Sequence, residues 1–122
     1  LMTKKRIHVV DANVLIMGLA FKENCPDLRN TRVVDLVQEF ESFNCNVDVY
    51  DPWVDKNEAI REYNIRPTDE PEKSKYDAIL LAVAHDEFKR LSVEQIKAFG
   101  KKNHVLYDIK YLLKANEVDG RL

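Results

Sequence analysis

Glycine is scarce in this chain, with three residues among 122 at positions 18, 100 and 120. A dinucleotide turn of the G-x-G-x-x-G kind needs three within one short segment, so that fingerprint is absent. So few glycines also exclude a flexible linker or low-complexity segment. Two cysteines, Cys25 and Cys45, are too few for a multi-disulfide framework. Nineteen basic residues against twenty-one acidic ones leave a formal charge of −2, with no basic field to attract nucleic acid. The longest basic run, Lys4-Lys5-Arg6, reads as a solvated helix end. No apolar run approaches the roughly 18–20 residues that cross a bilayer, and LMTKKRIHVV lacks the apolar stretch and cleavage site of a leader. These absences point to a soluble, cytoplasmic domain with neither membrane nor nucleic acid among its partners.

With 45% hydrophobic and 33% charged residues, the chain can bury one core of ordinary size. Four apolar runs alternate with amphipathic stretches. Val14–Met17 ends at Gly18, Val47–Tyr50 stops at Asp51-Pro52, Ala78–Val83 is the longest run, and Val105–Tyr107 closes at Asp108. Uninterrupted apolar character suits strands covered on both faces of a parallel sheet. TRVVDLVQEFESF places Val33, Leu36, Val37 and Phe40 at helical spacing, with Asn30 or Thr31 as the N-cap. A shorter helix is expected over Asp55–Tyr63, a capping box at Ser92–Gln95, and the start of a last short helix over Lys110–Leu113. The predicted fold is an α/β open doubly wound parallel sheet, a Rossmann-like three-layer sandwich without the glycine fingerprint. Ligands of such sheets bind beyond the carboxyl ends of the strands. The loops at Gly18–Asn30, Asp51–Trp53, Ala84–Phe88 and Asp108–Lys110 should therefore share one edge.

The segment GLAFKENCPDLRNT is the richest in candidate chemistry. It is about twice the common length of a βα loop, and long loops in compact domains tend to be functional. Lys22 and Arg29 suit phosphate, and Asp27 suits orienting them; alternatively Asp27 and Arg29 simply pair with each other. Asp51-Pro52 reads as a strand-stop turn and Trp53 as a packing residue. His85-Asp86 reads as a turn in which Asp86 caps a short helix, because adjacent side chains rarely face each other and no nucleophile motif accompanies them. Cys25 has no histidine beside it, and His8 and His104 lack neighbours at ligand spacing, so neither a catalytic thiol nor a metal site is expected. Lys110 places another cation at the ligand edge.

VLIMGLAFKENCPDLRNT, VDVYDPWVD, YDAILLAVAHDEF and VLYDIK together resemble the C-terminal UDP-binding domain of the UDP-glucose/GDP-mannose dehydrogenase family. The specific element is G-L-x-F-K-x-x-x-x-D-x-R. The wording around it is most similar to the bacterial UDP-N-acetylhexosamine 6-dehydrogenases of polysaccharide synthesis, the capsule and Vi-antigen type. The resemblance implies residues 1–13 as the tail of a linking helix and its connection, and 14–122 as a UDP-sugar-binding domain of a larger enzyme. It also implies that the catalytic Cys and the NAD-binding domain lie outside this chain, so that the chain carries no catalytic residue and is inactive alone. Phe21 and Lys22 are then expected to touch the UDP-sugar, and Arg29 to reach toward the diphosphate of NAD held elsewhere in the enzyme, with Asp27 steadying the loop. Lys110 falls where many relatives carry an Arg, and Lys lacks that residue's bidentate fork. The implied partners are the UDP-sugar, the remaining domains of the same enzyme and, for the full-length enzyme, copies of itself in a homo-oligomer. The alternative reading is a stand-alone flavodoxin-like binding or signalling module. It is disfavoured because a receiver's acids are missing from the first strand and its phosphoacceptor Asp from the third.

Overall fold

The computed structural model describes residues 2, 5, 7–29, 31–110 and 112–121, at 121 the backbone alone. Strand β1 (Asn13–Met17) is entirely apolar after its first residue and lies between β2 (Asn46–Tyr50) and β3 (Tyr76–Leu81), parallel to both. β4 (Gly100–Asp108) runs parallel beside β3, and a two-residue β5 (Gly120–Arg121) completes the order β2-β1-β3-β4-β5. The sheet is the predicted parallel one, with the strand order of the flavodoxin-like doubly wound folds.

Alternate side chains of the central strands feed two cores, one on each face. Val14, Ile16, Ala78 and Leu80 meet Val33, Val34 and Val37 of helix α1 (Val33–Ser42) and Ala59 of α2 (Lys56–Tyr63). Leu15, Met17, Ile79 and Leu81 meet Phe88 of α3 (Asp86–Lys89) and Ile96 of α4 (Val93–Lys97). Burying each large side chain contributes roughly 1.5–3 kcal/mol, which is why the two-sided strands read as unbroken apolar runs. The helix ends follow their residues. Asp55 accepts from the Glu58 N–H, Asn64 ends α2 in the left-handed region at φ 55°, and Ser92 with Gln95 forms the expected capping box.

Four local expectations are corrected. Among the described residues, Lys110, Leu112 and Leu113 are not helical, so the last short helix does not begin where expected over Lys110–Leu113; a 3-10 turn spans Ala115–Glu117 instead. The carboxylate of Asp108 accepts the backbone N–H groups of Lys110 and Leu113, satisfying them without a helix. Asp86 is not the cap of α3, because His85 holds the N-cap position with its ring turned inward. Within the basic run Lys4 and Arg6 lie outside the described residues, while Lys5 is not a free solvated charge: its ammonium pairs with Asp119 at 2.7 Å and donates to the His104 carbonyl. Of the two predicted caps of α1, Asn30 lies outside the described residues; Thr31 Oγ1 accepts the Val33 N–H at 3.2 Å, although Arg32 holds the N-cap position.

Candidate functional site

The loop that leaves β1 is bound to its surroundings along its length. Gly18 begins it at φ +109°, a conformation L side chains rarely adopt, and a Cβ there would fall 2.5 Å from the Val83 Cβ. The Leu19 and Ala20 N–H groups both donate to one carboxylate oxygen of Asp51, at 2.7 and 2.9 Å. The other oxygen of Asp51 accepts the Trp53 N–H at 2.8 Å, and His85 Nε2 meets the first at 2.9 Å. Burial alone would push the Asp51 carboxyl up, but the bonds from His85, Leu19, Ala20 and Trp53 outweigh it and hold the group below the usual carboxylate range. Asp51 is thus a strand-stop residue, as predicted, and also the anchor of a loop more than thirty positions away.

Farther along, the loop closes on itself and then docks. The Phe21 N–H donates to the Asp27 carbonyl, the Thr31 hydroxyl donates to the Leu19 carbonyl at 2.6 Å, and the Tyr63 hydroxyl donates to that of buried Leu28. These bonds leave Phe21 half-exposed and Lys22 projecting from a fixed backbone.

Phe21, Lys22 and Lys110 line one cleft of about 640 Å³ at the carboxyl ends of β1, β3 and β4. Ala20, Val33, Leu36, Val83 and Ile109 give it an apolar floor, and Arg32 adds a third cation. Glu23, Asp35 and Glu39 balance those charges, so the cleft has cationic points rather than a uniformly positive field. The first turn of α1 opens onto it, adding the partial positive charge of a helix N-terminus. It stands at the β1/β3 switch point, where strand order reverses and such sheets bind ligands. An apolar floor with cations around it suits a ligand carrying a flat base at one end and phosphate at the other.

The chain matches the family described as "UDP-glucose/GDP-mannose dehydrogenase family, UDP binding domain" over residues 15–115. It is a member of that family. This UDP-binding domain is 57% identical to a UDP-N-acetyl-D-glucosamine 6-dehydrogenase of Pseudomonas aeruginosa, over 99% of its own length and 29% of the relative's. A Salmonella typhi protein of the same description is 54% identical over 99% of this chain and 28% of its own. The chain therefore spans less than a third of the curated relatives it matches. Among solved structures, a UDP-D-ManNAc dehydrogenase of Pyrococcus horikoshii superposes with a TM-score of 0.77 at 25% identity, covering 98% of this chain and 27% of that one. An NDP-N-acetyl-D-galactosaminuronic acid dehydrogenase of Methanosarcina mazei superposes at 0.81 with 21% identity, covering 95% of this chain and 24% of that one, a likeness of fold. The flavodoxin-like strand order alone would have fitted the stand-alone module equally well; family membership separates the two readings.

The residues expected to act are not all in one place. Arg29 lies outside the cleft of Phe21, Lys22 and Lys110, largely exposed, with its Nε and a terminal nitrogen on the two carboxylate oxygens of Asp27 at 3.0 and 3.1 Å. The Arg29 side chain holds Asp27 below the ordinary carboxylate range, and the pairing that the sequence offered as the simple alternative is present. Trp53 packs over His85 with ring centroids 5.9 Å apart and donates from Nε1 to Glu87. Sequence reasoning missed Asn24 and Arg32, and read His85 as a turn residue. Arg32 was within reach of it, standing one position before a helix beside a candidate loop. Among the described residues no cluster of His, Cys, Asp and Glu could hold a metal ion, and no helix is long and apolar enough to cross a membrane.

Proposed function

We propose that this chain is the nucleotide-sugar-binding domain of an NAD-dependent UDP-N-acetylhexosamine 6-dehydrogenase, with UDP-N-acetyl-D-glucosamine as the sugar nucleotide. The observation that carries the reading is the meeting of Phe21, Lys22 and Lys110 in one cleft at the switch point. The names of the relatives above 50% identity support the choice of sugar. In this reading the uracil lies on the apolar floor, the Phe21 ring packs against the nucleotide, and Lys22 and Lys110 face the diphosphate. NAD supplies hydride acceptance for oxidation of the sugar's C6 alcohol. No glycine turn here could cradle its pyrophosphate; this chain contributes Arg29 toward it, presented outward by Asp27. The catalytic cysteine and the dinucleotide domain belong to the remainder of a cytoplasmic, homo-oligomeric enzyme, and the isolated chain turns over no UDP-sugar.

Titrating the chain with UDP and with uridine, followed by backbone amide shifts in NMR, tests the reading. UDP should move resonances of residues 20–22, 82–83 and 109–110, and binding should weaken as salt rises. Uridine, lacking the diphosphate, should bind more weakly at the same residues. Lys22→Ala should weaken UDP binding about tenfold while leaving uridine unchanged, the size expected for one charge-assisted contact. Equal responses to UDP and uridine, or shifts confined to another surface, would overturn it.

A further inference from the structure

His85 is fully buried in the connection that follows the third strand, yet it does not line the cleft. Its two ring nitrogens are both engaged, by groups from two other loops. Nδ1 accepts the backbone N–H of Asn24 at 2.9 Å, and Nε2 lies 2.9 Å from the carboxylate of Asp51. A nitrogen that accepts an N–H bond carries no proton of its own, so the ring is the neutral tautomer with its hydrogen on Nε2, donating to Asp51. The Asn24 side chain returns the contact by accepting the Asp86 N–H at 2.9 Å, and Asn24 itself stands in the left-handed region at φ 52°. Trp53 stacks on one side of the imidazole and Phe88 meets it edge-on at 5.4 Å, so the ring cannot turn without displacing both.

The consequence is a bracket around the cleft-forming segment. Asp51 holds the loop at Leu19 and Ala20, His85 holds it at Asn24, and the Asp51–His85 bond joins the two supports. Phe21 and Lys22 lie between the anchored points. We infer that His85 is a positioning residue for nucleotide binding, fixing Phe21 and Lys22 through Asn24 and Asp51 while contacting no ligand itself. The inference rests on the reading of the cleft as the UDP site, and deepens it by naming what sets the site's geometry. A loop held in its bound shape before the ligand arrives loses less freedom on binding.

Two substitutions take the bracket apart one bond at a time. In His85→Asn the amide oxygen replaces the Nδ1 acceptor but cannot reach Asp51, and in His85→Gln the amide nitrogen replaces the Nε2 donor while the bond from Asn24 is lost. His85→Phe removes both. In the ligand-free chain, imidazole nitrogen shifts should show an unprotonated Nδ1 and a protonated Nε2. Hydrogen exchange of the Asn24 amide should rise about tenfold or more in His85→Gln and His85→Phe but little in His85→Asn, with α4 and β4 amides unchanged. UDP affinity of wild type should exceed that of His85→Phe about tenfold, with the two amide variants between. An Nδ1–H tautomer, or exchange that rises uniformly through the sheet, would overturn the bracket. Unchanged UDP affinity in His85→Phe, with wild type binding normally, would overturn the positioning role. Wild type failing to bind UDP while the Asn24 amide still depends on His85 would remove the nucleotide reading and leave the bracket standing.

Discussion

Two buried aspartates close strands at the same carboxyl-end edge of the sheet, with two strands between them, and do different work. Asp51 follows β2 and Asp108 ends β4. Asp108 accepts the N–H groups of Lys110 and Leu113, both within five residues of itself. Asp51 accepts one local N–H, from Trp53, and then three donors from 31 to 34 positions away. One carboxylate shapes its own turn; the other joins three loops. The same residue type at equivalent strand ends thus supports local structure in one case and the geometry of the cleft in the other. The difference comes from position: β2 ends beside the long loop that leaves its neighbour β1.

The largest effect that could break this comparison is loss of Asp51. Asp51→Ala orphans four donors, three of them in a buried setting, and should lower stability by roughly 3–5 kcal/mol, read from urea unfolding. That is a large part of the 5–15 kcal/mol of a typical domain. Acid should reveal the same carboxylate. Its pKa in the folded chain is below the unfolded value of about 3.9, so its contribution is complete above that pH and disappears as pH falls through the lower folded value. Asp51→Asn should therefore narrow its stability gap to wild type in strongly acidic solution. A gap that stays constant down to acid unfolding would show that Asp51 is not held ionised by this network. Next in size is Gly18→Ala. The strained φ and the 2.5 Å approach to Val83 should together remove roughly 2–4 kcal/mol.

Much of this arrangement was legible in the sequence because it is local. The unbroken apolar runs announced β1 and β3, the spacing of Val33 and Val37 announced α1, and Ser92 with Gln95 announced the start of α4. The shared edge followed from parallel topology, and Lys22 and Lys110 do line one cleft there. What stayed hidden depends on separation. Nothing adjacent to His85 signals that its ring reaches Asn24 and Asp51, 61 and 34 residues distant, and a histidine after a strand reads locally as part of a turn. The two-residue β5 has no periodicity to detect, and the polar stretch Lys101–His104 hides the first half of β4, whose side chains there need no buried face.

Asp108→Ala sharpens the comparison from the other side. It frees two N–H groups near the surface, so the expected loss is about 1–3 kcal/mol. Amide exchange should rise at Lys110 and Leu113 and stay unchanged at Leu19 and Ala20. Acceleration at Leu19 would mean that the two carboxylates belong to one cooperative unit rather than to two.

The smallest effect is expected at Asp27. Its carboxylate pairs with an exposed guanidinium two residues away, and surface pairs of this kind contribute little to stability. Asp27→Ala should leave the urea midpoint unmoved. Yet the same carboxylate holds Arg29 at three nitrogens, including its backbone N–H, and without it the side chain samples many rotamers. If Arg29 serves a diphosphate held by the rest of the enzyme, Asp27→Ala in the full-length protein should raise the KM for NAD while leaving UDP binding by this domain untouched. An unchanged KM would reduce the Asp27–Arg29 pair to a surface contact. A change in UDP binding would place that pair in the cleft that its geometry here puts it outside.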